Sequence, residues 1–106
     1  MATLQHNITT LLTQELLALG DKINNARSIT LANVDDTNDA FVDLFLSKGD
    51  KNYYILKEVL IPKGSTLVLD SNDNISFNNS TSGFSLRIQV DDGGTTAVAV
   101  DVIIKT

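Results

Sequence analysis

Two stretches near the C-terminus alternate between apolar and polar residues. In residues 84–91, FSLRIQVD, every second residue is apolar, and residues 98–105, VAVDVIIK, repeat the pattern after a turn-forming segment, DDGGTT. Successive side chains of a strand point to opposite faces of a sheet, so a period of two is typical of a strand with one buried face. We therefore expect an antiparallel hairpin with one face in a hydrophobic core, which places the chain in the all-β class.

From residue 27 onward, short strands separated by turns are predicted. The expected strands are residues 27–34, 40–48, 53–61 and 65–69, with a brief one around Ile75 and Phe77. The polar tip of residues 49–52 predicts a hairpin, and residues 62–64, PKG, predict a turn. Seven or eight short strands at this spacing predict an antiparallel β-sandwich that is jelly-roll-like.

The N-terminal 26 residues are ambiguous, because their leucines fall partly at helical spacing whereas residues 7–10 resemble a strand. We expect a short strand near residues 8–12, followed by a turn or one to two helical turns through residues 14–19. The chain is therefore divided into an N-terminal segment, residues 1–26, which is a candidate assembly arm, and a β-sandwich domain, residues 27–106.

Composition excludes several classes of function. The formal net charge of −5 and the scattered basic residues argue against nucleic-acid binding, which needs clustered Lys and Arg. Apolar runs are far shorter than the roughly 20 residues of a membrane helix, and no secretory signal is expected. The absence of cysteine removes disulfides, thiolate metal sites and cysteine nucleophiles.

From the pattern of polar residues we expect no catalytic, cofactor-binding or metal site. In the best calcium candidate, Asp70, Asn72 and Asn74 match the first three side-chain ligands of an EF-hand loop, but Ile75 stands where Gly is required. Turn formation by Asp and Asn explains this and the other acidic clusters without a metal. His6, the only histidine, has too few potential partners for acid–base or zinc chemistry.

The most informative surface feature is a strand with large apolar residues on both faces. In residues 40–48, Val42, Leu44 and Leu46 alternate with Phe41, Asp43 and Phe45. One face belongs to the core, so the phenylalanines are either covered by the N-terminal segment or available to a partner, since exposed apolar patches mark contact sites. The predicted contact residues are Leu11, Leu12, Leu16, Phe41, Phe45 and Tyr53.

Four segments carry a resemblance to small virion proteins of tailed phages. They are residues 27–33, RSITLAN; residues 53–56, YYIL; residues 61–69, IPKGSTLVL; and residues 100–104, VDVII. The resemblance covers residues 27–106 and rests on motifs of a β fold. The GDSL-like segment usual in that group is replaced by DNISF at residues 73–77.

The resemblance implies a non-enzymatic structural subunit located in the virion. Such a subunit is a capsid decoration or cement protein, or a neck, tail or fibre component. Its implied partners are other copies of itself and other virion proteins, such as a major capsid, neck or tail protein, with no role for nucleic acid or membrane. The alternative function is a carbohydrate-binding β-sandwich module, which the absence of Trp disfavours.

Overall fold

The computed structural model describes residues 3–18, 28–70 and 83–105. Within them lie eight strands: β1 (Thr3–Ile8), β2 (Gln14–Leu17), β3 (Ser28–Asn33), β4 (Ala40–Lys48), β5 (Lys51–Ile61), β6 (Thr66–Asp70), β7 (Ser85–Asp91) and β8 (Val100–Lys105). No helix suitable for crossing a membrane is found in the described ranges. The strand predicted around Ile75 and Phe77, and most of the Asp70 loop, lie outside these ranges.

The strands form two four-stranded antiparallel sheets. One has the order β1-β8-β3-β6 and the other the order β2-β7-β4-β5. Chain-neighbouring strands lie in different sheets except for β4 and β5, which form a hairpin. This order is that of an eight-stranded jelly roll, so the predicted fold class is confirmed.

The prediction of a C-terminal hairpin is wrong in its pairing. The burial pattern is as expected, because Leu86, Ile88 and Val90 in β7, and Val100, Val102 and Ile104 in β8, are fully buried. However, β7 pairs with β2 and β4, whereas β8 pairs with β1 and β3. The segment between them crosses from one sheet to the other. The pairing was mispredicted because alternation determines which face of a strand is buried and leaves its neighbours undetermined.

The N-terminal segment also differs from the prediction. The first strand ends at Ile8 instead of spanning residues 8–12, and residues 14–17 form β2 instead of helical turns. Six residues of β1 pair with β8, and β2 pairs with β7. These strands complete both sheets. Leu16 and Leu17 are both buried at the register shift in β2, whereas Leu11 and Leu12 lie in the loop before it.

The core lies between the sheets and is aliphatic. Its fully buried members include Ile8, Leu17, Ile29, Leu31, Leu44, Leu86, Ile88, Val98, Val102 and Ile104. They come from both sheets, so each strand needs the facing sheet to bury its apolar side chains.

The strand directions give the sandwich two different ends. The loop end carries four connections, residues 9–13, 34–39, 62–65 and 92–99. The opposite end, which we call the hairpin end, carries the β4–β5 turn at residues 49 and 50 together with the ends of β3, β6 and β8. Functional groups can therefore be assigned to one end or the other.

A buried asparagine connects the loop end. Asn33 is 1% exposed, and its side-chain amide donates to the carbonyls of Asn38 and Ile61, both at 3.0 Å. Its Oδ1 accepts the backbone N–H of Asp35 at 3.0 Å. Its backbone exchanges hydrogen bonds with Gly64 and Ser65. Asn33 thus joins β3, the 34–39 loop, the end of β5 and the turn into β6.

Replacing Asn33 with Ala is expected to lower the free energy of unfolding by about 2–4 kcal/mol. The truncation leaves two carbonyls and one N–H without their partner in a part-buried region, and each such loss costs about 1–3 kcal/mol at full burial. The measurement is chemical denaturation. The matched control is Asn7→Ala, since the exposed Asn7 amide donates to Asp101 and its loss is expected to cost less than about 1 kcal/mol. Equal losses in the two variants would contradict this role of Asn33.

Candidate interaction surface

The outward face of β4 is covered by its own sheet. Phe45 is only 4% exposed, and its ring centroid lies 5.1 Å from that of Tyr54, its cross-strand neighbour in β5. On the other side Phe45 pairs with Arg87 of β7. Phe45 is therefore unavailable as a contact residue, and the cover shown for it comes from Tyr54.

Phe41 is half-buried and forms a wall of a cleft near the loop end. The cleft has a volume of about 270 Å³ and is lined by Phe41, Asp43, Glu58, Asp91, Gly93 and Gly94. Gly93 has a φ of +89°, and a Cβ there would lie 2.9 Å from the Phe41 ring. Glycine at this position permits the turn and the close approach of the ring.

The opposite wall of the cleft is a bulge in β5. Lys57 and Glu58 lie between the pairs Val42–Val59 and Leu44–Leu56, so two residues of β5 face Asp43. Glu58 has a φ of +52°, and its N–H donates to Asp43 Oδ1 at 2.7 Å. The Asp43 carboxylate thus stabilises a backbone conformation that non-glycine residues rarely adopt.

Lys57 completes this bulge. Its Nζ lies 3.5 Å from Asp43 Oδ2 and 4.7 Å from the centroid of the Tyr54 ring. Desolvation lowers the pKa of Lys57, but the negative charge of Asp43 and the smaller effects of Tyr54 and Glu58 outweigh it, so the pKa is raised. Lys57 is therefore a cation that balances Asp43.

A stripe of half-exposed apolar side chains runs along β5, at the edge of the described sheet. Tyr53, Tyr54 and Leu60 are 49%, 46% and 48% exposed. Tyr54 and Leu60 pair with Phe45 and Phe41 and share their outward face. Tyr53 pairs with Leu46, which packs against the core, so Tyr53 lies on the other face of the strand. We call the three half-exposed residues Tyr53, Tyr54 and Leu60 the β5 stripe.

The other predicted contact residues divide between surface and core. Leu12 is 74% exposed and Leu11 is 36% exposed, both in the loop between β1 and β2. Leu16 is 4% exposed and belongs to the core, so its prediction as a contact residue is wrong for the folded chain.

Tyr54 and Leu60 are half exposed but are not among the contact residues predicted from the sequence. Alternation places residues 54, 56 and 60 on one face, but Leu56 instead pairs with the buried Leu44 and faces inward. The β4–β5 register shifts once on each side of Leu56. The first shift turns the side chain of Leu56 inward, and the second restores the alternation between inward and outward side chains. The sequence contains no glycine in β5 that would have indicated a bulge.

The acidic clusters of the described loops act as turn-stabilising groups. Asp35 Oδ1 accepts the backbone N–H groups of Thr37 and Asn38. Asp91 Oδ1 accepts the N–H of Gly93, and Asp92 Oδ1 accepts those of Gly94 and Thr96. In the part of the chain that the structure describes, no group of three His, Cys, Asp or Glu side chains is arranged to hold a metal ion.

Comparison with known proteins extends the description of the fold. No protein-family model matches the chain, and no curated protein matches it. The Yersinia pseudotuberculosis-derived mitogen is similar in structure, with 11% identity and a TM-score of 0.51 over 99% of this chain and 84% of the mitogen. The Anabaena sensory rhodopsin transducer shows 16% identity and a TM-score of 0.49 over 100% of this chain and 96% of that one. The likeness to the mitogen shows the fold alone.

Asp35 is expected to make stability depend on pH in a defined window. Backbone hydrogen bonds from Thr37, then Asn38, lower its pKa from 3.8 to about 2. Because the folded-state pKa is depressed, the stabilisation is complete above pH 3.8 and is lost as the pH falls towards about 2.

Thermal unfolding across this window provides the measurement. Asp35→Asn should have a lower Tm than the unchanged chain at neutral pH, and the gap should narrow as the pH falls towards about 2. Asp36→Asn is the matched control, since Asp36 makes no hydrogen bond to the described part of the chain. A gap that does not change with pH would contradict the role of the Asp35 charge.

Glu58→Gly is expected to raise the free energy of unfolding by roughly 1 kcal/mol. Its φ of +52° is a left-handed conformation in which a Cβ costs roughly 1–2 kcal/mol, and glycine removes that cost. Glu58→Ala is the control, because it removes the same carboxylate and keeps the Cβ. Denaturant unfolding that shows no advantage of Gly over Ala would contradict the strain at this bulge.

Proposed function

We propose that the chain is a non-enzymatic structural subunit of a tailed-phage particle, acting through protein–protein contacts as a capsid decoration or cement protein or as a neck- or tail-associated subunit. The resemblance of residues 27–106 to virion proteins supports the phage setting. The observation that carries the contact function is the β5 stripe, with three large side chains about half exposed on one strand.

The composition of the stripe favours a protein partner. Tyrosine is enriched at protein interfaces because its ring buries a large area and its hydroxyl retains a hydrogen bond. Leu60 adds an aliphatic side chain on the same outward face as Tyr54. Full burial of a Leu side chain stabilises by about 1.5–3 kcal/mol, so the stripe offers binding energy that the isolated chain leaves unused.

The structure favours this proposal over a carbohydrate-binding module. Sugar rings stack on open aromatic faces, but cations already lie near both tyrosine rings: Lys57 over Tyr54 at 4.7 Å and Lys51 over Tyr53 at 5.9 Å. The Tyr53 ring also meets Phe84 in an edge-to-face contact at 5.7 Å. Both rings are better placed for packing against side chains than for holding a sugar.

Mass spectrometry of purified particles tests the phage setting. In particles made from a genome that encodes this chain, the chain should occur in a constant ratio to the major capsid protein or to a neck or tail protein. Its absence from infectious particles would overturn the proposal.

Leu60→Lys tests the contact surface in the same particles. A buried charge at Leu60 should weaken incorporation by roughly tenfold or more, since each 1.4 kcal/mol of lost binding is a factor of ten. Val68→Lys is the matched control, because Val68 is 54% exposed and lies on β6 in the other sheet. Normal incorporation of the Leu60 variant would show that the β5 stripe is not the contact surface.

A further inference from the structure

Charge is distributed unevenly between the two ends of the sandwich. The described loops at the loop end, together with the end of β7, carry Asp35, Asp36, Asp39, Asp91 and Asp92 against a single Lys63. The described residues at the hairpin end carry Lys48, Lys51 and Lys105 against Asp50 and Asp70. The molecule therefore has an acidic end and a weakly basic end, although its formal net charge is −5.

The cleft beside Phe41 carries a concentration of negative charge and lies near the loop end of the β2-β7-β4-β5 sheet. Three of its six lining residues are Asp43, Glu58 and Asp91. Lys57 forms an ion pair with Asp43, whereas Glu58 and Asp91 form no ion pair within the described part of the chain. The Phe41 ring adds an aromatic wall, and an aromatic face attracts cations. The cleft is thus suited to an ammonium or guanidinium group.

The tip of the β4–β5 hairpin carries the complementary feature. Lys48 and Lys51 are exposed and directly opposite each other across the two-residue turn. Like charges at directly opposed positions are destabilising, and neither lysine forms an ion pair within the described residues. Each lies near an aromatic ring, Lys48 at 5.4 Å from Phe84 and Lys51 at 5.9 Å from Tyr53.

The tip cannot reach the cleft of its own molecule. Phe41 and Lys48 are seven residues apart on the same strand, a separation of about 23 Å at about 3.3 Å per residue. Only another molecule can therefore bring the tip to the cleft.

We propose that the hairpin tip of one copy of this chain docks into the Phe41 cleft of a second copy, giving a head-to-tail contact. This inference rests on the proposed function, since it names the chain itself as one partner. Charge complementarity indicates the occupant. Lys48 and Lys51 of one copy can approach Glu58 and Asp91 of another copy only when the hairpin tip of the first meets the cleft of the second. Such a contact is heterologous, so it can continue beyond a dimer into a ring or a filament.

Sedimentation velocity at about 0.01 M and about 1 M salt tests this contact, because the screening length falls from about 30 Å to about 3 Å. The chain should associate with increasing concentration at low salt and dissociate at high salt. The tip variant Lys48→Glu/Lys51→Glu should weaken association at least about tenfold. The control Lys63→Glu/Lys105→Glu has the same net charge and should associate more strongly than the tip variant.

A mixing experiment distinguishes head-to-tail from symmetric contacts. The cleft variant Glu58→Lys/Asp91→Asn removes both unpaired carboxylates and retains an oxygen that can accept the Gly93 N–H. It should not associate alone, but its unchanged tip should bind the unchanged cleft of the tip variant, so the mixture should form complexes. Circular dichroism and thermal unfolding establish that both variants fold.

The outcomes separate this inference from the proposed function. The head-to-tail contact would be overturned if the unchanged chain stays monomeric at low salt. It would also be overturned if the tip and cleft variants associate as strongly as the control, or if they form no complex when mixed. The presence of the chain in purified particles would still support the structural role, whereas its absence would overturn that role independently.

Discussion

The arrangement of the loops at the loop end depends on the hydrogen bonds of the buried Asn33 side chain. A jelly roll sends its chain repeatedly from one sheet to the other, so the loops at each end must be held in place by more than strand pairing. Asn33 binds Asn38, Ile61 and Asp35, and its backbone binds Gly64 and Ser65. The Asp35 carboxylate then accepts the N–H of Ala99 at 3.4 Å, which connects the last crossover to the same network. This network holds the end of the sandwich near which the Phe41 cleft lies.

The same hydrogen bonds join two sequence motifs that are far apart along the chain. The LAN motif ends at Asn33, and the IPKGS motif spans residues 61–65, and the structure brings these two segments into direct hydrogen-bond contact. These two motifs are therefore fold-determining contacts. The YYIL motif differs from them, because it supplies Tyr53 and Tyr54 of the proposed contact surface on β5.

The sequence predicted the class of fold, the buried faces of β7 and β8 and the β4–β5 hairpin, but it did not predict the other strand neighbours. Alternation correctly placed Leu86, Ile88 and Val90 in the core. It could not show that β7 and β8 belong to different sheets, because a period of two is the same for any partner. The proposed contact surface was only partly predictable. Tyr53 is among the residues predicted from the sequence, whereas the placement of Tyr54 and Leu60 depends on register shifts that turn Leu56 inward.

We propose β5 as the contact surface of the molecule, whereas the aspartates of the described loops stabilise turns. A cryo-electron microscopy reconstruction of the assembled particle tests this claim most directly. We expect density for the jelly roll with the outward side chains of β5, Tyr54 and Leu60, buried against a neighbouring protein subunit. A particle in which the jelly roll is attached through another face, with Tyr54 and Leu60 open to solvent, would contradict the account.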